Sequence, residues 1–99
     1  MNLTVENDSM KVDGLTRISA ENYREVIDSV RAKLPQKATL VTVDLSNVAF
    51  IDSQGLSALI AIKKTIGANN GRIVLQRPTR VVEQILEITQ LNRIFEIEK

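Results

Sequence analysis

The central stretch of the chain, residues 39–56, reads TLVTVDLSNVAFIDSQGL and carries the strongest structural signals in the sequence. Residues 39–45 are rich in β-branched side chains and alternate apolar with polar positions, which predicts a central strand covered mainly on one face. Residues 46–47 predict a turn, because Ser and Asn side chains readily bond to nearby backbone groups. The apolar run at 48–51 then leads into residues 52–53, where a helix is expected to begin.

Three helices are predicted from apolar residues spaced three and four apart. The first starts at Ser19, a favourable N-cap residue, and stops before Pro35, which cannot donate to the helical hydrogen-bond ladder. The second runs from about Gln54 to Ala68 and ends in an Asn-Asn-Gly turn. The third is capped by Thr79.

Strands are predicted from short apolar runs and from alternating apolar and polar residues. Residues 3–5 and 10–12 predict two short strands joined by a turn. Residues 73–75 predict another short strand, and 94–98 predict a last strand with one buried face. Since strands and helices alternate along the chain, we expect an α/β fold with parallel pairing and right-handed crossovers. A Gly-rich first turn is missing, which argues against a nucleotide-binding Rossmann domain.

The composition narrows the classes of function. The 99 residues suit one domain of the usual ~100–150 residues. Thirteen basic and 12 acidic residues give a net charge of +1, whereas a general nucleic-acid binder usually has a strongly basic face. The sequence has no Cys and no His, so it lacks disulfides, thiolate metal ligands and the commonest general base. We therefore expect a binding module without cofactor or metal, no enzyme, and no binding to nucleic acid.

The apolar segments and the start of the chain indicate a cytoplasmic protein. Residues 1–12 lack the basic start and apolar stretch of a signal peptide. The apolar run at 56–62 is far shorter than the ~20 residues of a membrane span, so direct membrane insertion is not expected.

Local physics allows two interpretations of residues 52–55. In one, Asp52 or Ser53 caps the following helix by accepting from its free N–H groups, and Gly55 is incidental. In the other, Gly55 keeps the surface around Ser53 free of a side chain, so that a partner can approach closely. Gly in the first turn of a helix lowers helix stability by up to about 1 kcal/mol relative to Ala, which favours a specific role for Gly55.

Residues 44–56, DLSNVAFIDSQGL, closely resemble the signature of STAS domains, in particular those of the bacterial anti-sigma factor antagonists. The segments 71–75 and 86–95 are similar to a later strand and to the final segment of the family, and residues 14–97 follow the family in order. The resemblance implies a single STAS domain over 1–99. Its expected fold is a small mixed β-sheet of about four to five strands, with helices packed mainly on one face.

The resemblance also implies a partner switch. In such antagonists the serine after the aspartate, here Ser53, is phosphorylated by an anti-sigma factor that is also a serine kinase. The unphosphorylated form binds the anti-sigma factor, phosphorylation abolishes binding, and a phosphatase of the PP2C type restores it. The family is often monomeric when free. The partner-binding residues expected on this basis are Asp52, Ser53, Gln54, Gly55, Leu56 and Ser57.

Other residues near the motif have roles that stay open. Asp52 either orients the Ser53 hydroxyl or contacts the kinase, or it acts as a second helix cap. Asp44 matches a family position, and we expect it to bond turn amides after its strand. Ser57 is a rival phosphate acceptor, although a serine inside a helix is a poorer kinase substrate. Arg17 stands where the family has an acidic residue, and it could contact a partner or pair with a phosphate on Ser53.

A phosphate on Ser53 would add roughly −1.5 to −2 charges and three strong acceptor oxygens. At a helix N-terminus this charge is favoured by the helix dipole and by free N–H groups. We therefore expect phosphorylation to exclude the partner by charge and bulk, with little refolding.

Two other classes of function are considered. The chain could be a STAS scaffold subunit without catalysis, in a stress-sensing complex or in a lipid-transport complex, although scaffold relatives need not retain the motif serine. An enzyme with Ser53 as nucleophile is disfavoured, because there is no His and the Gly-x-Ser-x-Gly pattern is broken by Ile51.

Overall fold

A computed structural model describes residues 1–99 as seven β-strands, three α-helices and one 3₁₀ helix. In chain order these are β1 Asn2–Glu6, β2 Ser9–Asp13, β3 Arg17–Ile18, α1 Tyr23–Lys33, β4 Leu40–Asp44, β5 Phe50–Ile51, α2 Ser53–Gly67, β6 Arg72–Gln76, α3 Arg80–Ile88, the 3₁₀ helix Leu91–Arg93 and β7 Glu96–Glu98. The predicted α/β class is confirmed.

Five strands form the main sheet in the order β1-β2-β4-β6-β7, and β3 and β5 form a separate two-stranded sheet. The β1–β2 pair is antiparallel, while β2, β4, β6 and β7 pair in parallel. Parallel neighbours require crossover connections, and α1, α2 and α3 lie in those connections. The result is a small mixed sheet, as the sequence predicts.

The two faces of the main sheet differ in polarity. On one face the row Val12, Val43 and Leu75 is fully buried and belongs to a core cluster of 23 residues that also includes apolar residues of all three helices. In the next row, Lys11 and Thr42 point to the opposite face and are exposed and half-buried. The helices therefore cover mainly one face, which confirms the predicted arrangement.

The predicted start of α1 is wrong. Ser19 is 3% exposed, and α1 begins only at Tyr23, after a turn in which the Ser19 carbonyl accepts from the N–H groups of Asn22 and Tyr23. The Asn22 side chain in turn accepts from the Ser19 N–H at 2.9 Å. These contacts make residues 19–22 a closed turn, and it is this turn that brings Ala20 to the site described below.

The last strand is shorter than predicted. Only Glu96–Glu98 pairs with β6, and Ile94 directly follows the 3₁₀ helix and is 48% exposed. Phe95 is buried, so one buried side chain precedes the strand. The predicted cap at Thr79 is confirmed, since its hydroxyl oxygen accepts from the Val82 N–H at 3.4 Å.

Candidate functional site

The site lies where β5 passes into α2. β3 runs parallel beside β5, with Ile18 opposite Ile51, and the Asp52 N–H donates to the Ile18 carbonyl at 3.4 Å. The two isoleucines are buried and anchor this small sheet in the core. Ser53 follows as the exposed first residue of α2. The Ser53 hydroxyl therefore lies at the surface, while the buried β3–β5 pair fixes the backbone just before it.

Asp52 is the N-cap of α2 and ties two parts of the chain together. Its Oδ1 accepts from the Gly55 N–H at 2.9 Å, which satisfies an otherwise free donor of the first helical turn. Its Oδ2 accepts from the N–H of Ala20, in the turn before α1, at 3.0 Å. The predicted cap by Asp52 is confirmed, and the carboxylate bonds to these backbone groups rather than to the Ser53 hydroxyl.

The hydrogen bonds from the Gly55 and Ala20 N–H groups hold the pKa of the Asp52 carboxyl below its ordinary value. The Gln54 N–H acts in the same direction, and partial burial opposes it. Asp52 is thus ionised at neutral pH and places a fixed negative charge beside Ser53. It also occupies the Gly55 N–H, so that one donor of the first turn is not free to receive a phosphate.

Gly55 is needed for packing inside the protein. A Cβ atom at this position would lie 2.0 Å from the Ile18 carbonyl oxygen and 2.9 Å from Cγ1 of Ile51. Only glycine lets α2 approach the β3 backbone this closely. The interpretation that Gly55 clears the surface for a partner is therefore wrong, because the space that it leaves open is filled by β3.

The six residues expected to bind a partner divide into two groups. Ser53, Gln54 and Ser57 are exposed and Asp52 is partly exposed, so these four can face a partner. Gly55 is buried, and Leu56 is 8% exposed and packs in the core. The last two are corrected to structural residues, since the first turn of α2 directs them inward.

Ser57 uses its hydroxyl within the helix. Its Oγ donates to the Ser53 carbonyl oxygen at 3.0 Å, one turn back. The Ser53 hydroxyl makes no such hydrogen bond. Of the two candidate phosphate acceptors in this turn, Ser53 therefore has the less constrained hydroxyl.

Two exposed residues on the small sheet flank the site. Arg17 lies opposite Phe50, on the outward side of β3 and β5, and the Phe50 side chain is 50% exposed. The Arg17 Nη1 atom is 2.9 Å from Oε2 of Glu21.

Phe50 and Ala20 were missed by sequence reasoning. The alternation of Phe50 with the buried Ile51 could have revealed the first, whereas nothing local marks Ala20.

Asp44 has the predicted role at the end of β4. Its Oδ1 accepts from the Ser46 N–H at 2.9 Å, and its Oδ2 is 2.8 Å from Nη2 of Arg77. Burial raises the pKa of the Asp44 carboxyl, but the bonds from Ser46 and Arg77 outweigh it and leave the pKa below its ordinary value. The contacts hold the turn that leads toward β5.

The structure has neither a cluster of metal ligands nor a helix suited to crossing a membrane. No group of three or more acidic, His or Cys side chains is placed to hold a metal ion. None of the helices combines the length and the apolar character that crossing a membrane requires.

Relatives in sequence match part of the chain. Candidate anti-sigma factor antagonists of Thermotoga maritima and Thermotoga neapolitana are each 40% identical to it over 53 residues. The match covers 54% of this chain and 47% of each relative. This chain thus spans about half the length of the curated relatives that it matches.

Solved structures share the fold over nearly the whole chain. The crystal structure of a candidate anti-sigma factor antagonist from Thermotoga maritima superposes with a TM-score of 0.87 at 24% identity, covering 99% of this chain and 85% of the other. The unphosphorylated anti-sigma factor antagonist SpoIIAA superposes with a TM-score of 0.72 at 12% identity, covering 99% of this chain and 86% of the other.

The sequence model of the STAS domain matches residues 9–99. With that match and this fold, the chain belongs to the STAS domain family.

Proposed function

We propose that this protein is a cytoplasmic anti-sigma factor antagonist whose binding is switched by phosphorylation of Ser53. The observation that carries the proposal is the placement of Ser53: an exposed hydroxyl at the first residue of α2, on a backbone held by Asp52, Gly55 and β3. The names of the sequence relatives support an anti-sigma factor as the class of partner.

In this proposal the partners carry out the catalysis. The anti-sigma factor acts as a serine kinase: the Ser53 Oγ attacks the γ-phosphorus of ATP, its proton passes to a base of the kinase, and ADP leaves. A PP2C-type phosphatase later hydrolyses the phosphoserine with water and releases inorganic phosphate. The antagonist supplies only the acceptor hydroxyl and the surface that the kinase recognises, and it is a monomer when free.

The electrostatics of the site support exclusion of the partner after phosphorylation. Asp52 already places one negative charge beside Ser53, and a phosphate adds roughly −1.5 to −2 more. Burying that charge unpaired in a docking surface costs several kcal/mol, while about 1.4 kcal/mol is tenfold in affinity. A surface of Phe50, Gln54 and Ser57 that fits a partner around a neutral Ser53 would thus reject the phosphorylated form.

The acceptor can be tested by intact mass. The protein is incubated with ATP and the candidate anti-sigma factor kinase, and one added phosphate is expected. Ser53→Ala should abolish the gain, while the matched Ser57→Ala variant should keep it. A phosphate that persists in Ser53→Ala, or that peptide fragmentation assigns to Ser57, would contradict the assignment. No phosphate on any variant would instead favour the scaffold subunit.

A further inference from the structure

A phosphate on Ser53 would find part of the α2 N-terminus already in use. The Asp52 carboxylate accepts from the Gly55 N–H at 2.9 Å, so this donor of the first turn is not free for the phosphate. The ionised Asp52 would also repel the phosphate. A cation outside the helix would therefore add to the stabilisation that the remaining N–H groups of the first turn can give to the phosphate.

Arg17 is the cation that the small sheet brings to this place. β3 lies beside β5 with Arg17 opposite Phe50, and the next residue, Ile18, accepts from the Asp52 N–H through its carbonyl. The Arg17 guanidinium reaches forward along the chain to Glu21 at 2.9 Å. Glu21 directly follows Ala20, whose N–H is bound by Asp52. The guanidinium thus lies beside the turn at residues 19–22. Asp52, the residue before Ser53, accepts a hydrogen bond from that same turn.

The present partner of Arg17 holds it weakly. The side chains of Arg17 and Glu21 are 48% and 76% exposed, and exposed ion pairs contribute only about 0–1 kcal/mol. A phosphate offers a larger charge and a bidentate fit to the guanidinium fork. A phosphate within reach would therefore compete well against the Glu21 carboxylate.

We propose that Arg17 exchanges Glu21 for the phosphate when Ser53 is phosphorylated, and so acts as the phosphate-binding residue of the switched state. The inference rests on the proposed function, since it needs a phosphate at Ser53. The exchange leaves the Glu21 carboxylate unpaired at the edge of the docking surface. Phosphorylation then changes two anionic positions rather than one, which strengthens the exclusion of the partner.

The test uses the full chain with phosphoserine introduced at position 53 during translation, so that no kinase is required. The second pKa of the phosphate is measured by ³¹P NMR titration. A bound guanidinium favours the dianion, so Arg17→Gln should raise this pKa by about one unit. Arg24→Gln removes an equal charge from the exposed side of α1 and should leave the phosphate pKa within a few tenths of the parent value. Glu21→Gln removes the competitor and should lower it.

Equal pKa values in the Arg17→Gln and Arg24→Gln proteins, or no lowering in Glu21→Gln, would overturn the exchange. Since both arginine variants change exposed positions, their folding is checked by the amide spectrum of the unphosphorylated proteins. The proposed function fails separately, if phosphoserine at 53 leaves binding of the anti-sigma factor unchanged. The phosphate titration is independent of that result.

Discussion

At the scale of single residues, position 55 decides how closely α2 can approach β3. The missing side chain leaves the Ile18 carbonyl oxygen 2.0 Å from where a Cβ would stand. The sequence marks Gly55 as unusual, because glycine is costly in a first helical turn. It cannot show why, since the group that fills the space comes from a strand far away in the chain. The sequence therefore marks the residue as unusual, but neither of the two interpretations that it allows describes the packing role.

Gly55→Ala should destabilise the protein by about 1–3 kcal/mol, because the new methyl group meets backbone atoms that cannot rotate away. Urea denaturation followed by circular dichroism measures this. Gly67→Ala is the matched control near the other end of α2, where a Cβ meets nothing within 4 Å, and it should be neutral or stabilising by up to about 1 kcal/mol. Equal effects of the two substitutions would show that contact with β3 does not explain Gly55.

At the scale of elements, long periodic segments were predictable and short contacts between segments were not. The pattern of residues 39–45 and the helices α2 and α3 could be predicted, because many side chains repeat the same period. The two-residue strand β3 has too few residues to show a period. The start of α1 cannot be predicted from residue type, since Ser19, a good cap by type, is buried in a turn and the helix begins at Tyr23.

Asp52 joins two elements, and its contribution to stability should depend on pH. Its pKa is lowered in the folded state, so its stabilisation is complete above the ordinary value of 3.8 and is lost as the pH falls through the lowered value. Asn offers one acceptor oxygen and cannot serve the Gly55 and Ala20 N–H groups together. Asp52→Asn should therefore lower the urea midpoint at pH 7, and the difference from the parent should shrink below pH 3.8.

The control for Asp52 is Asp28→Asn, an exposed acid on α1 that takes part in no ion pair or side-chain hydrogen bond. It should shift the midpoint little at pH 7. A difference between Asp52→Asn and the parent that stays constant down to pH 2 would mean that the charge of Asp52 does not hold the turn before α1 to α2.

At the scale of the whole molecule, the site is built on a small sheet beside the main one. Ser53 and Arg17 belong to the region of β3, β5 and α2, while the five-stranded sheet carries much of the core. The sequence motif indicates Ser53 as the candidate acceptor, but it could not show that Asp52 already occupies the Gly55 N–H at the helix start. A phosphate would take the net charge of +1 to roughly −1. For partner binding, the position of the added charge at the start of α2 matters more than the change in net charge.

Phosphorylation should leave the main sheet unchanged. Amide chemical shifts of the unmodified and phosphoserine-53 proteins are expected to differ in β3, in β5, in the turn at residues 19–22 and in the first turn of α2. Resonances of β4 and β6 should move little, because neither strand contacts Ser53 or Arg17 in the sheet pairing. Large changes throughout the main sheet would show that the switch refolds the protein instead of altering its surface.

The central claim is that a phosphate on Ser53 controls partner binding, and calorimetric titration of the anti-sigma factor tests it most directly. The unmodified protein and the protein with phosphoserine at 53 are titrated under the same conditions, with Asp28→Asn on α1 as a folded control. We predict binding of the unmodified and control proteins, and an affinity at least about 100-fold lower for the phosphorylated one, since the bulk of the phosphate and the net negative charge that it brings beside Asp52 would have to be buried in the interface. Equal affinities of the unmodified and phosphorylated proteins would contradict the account.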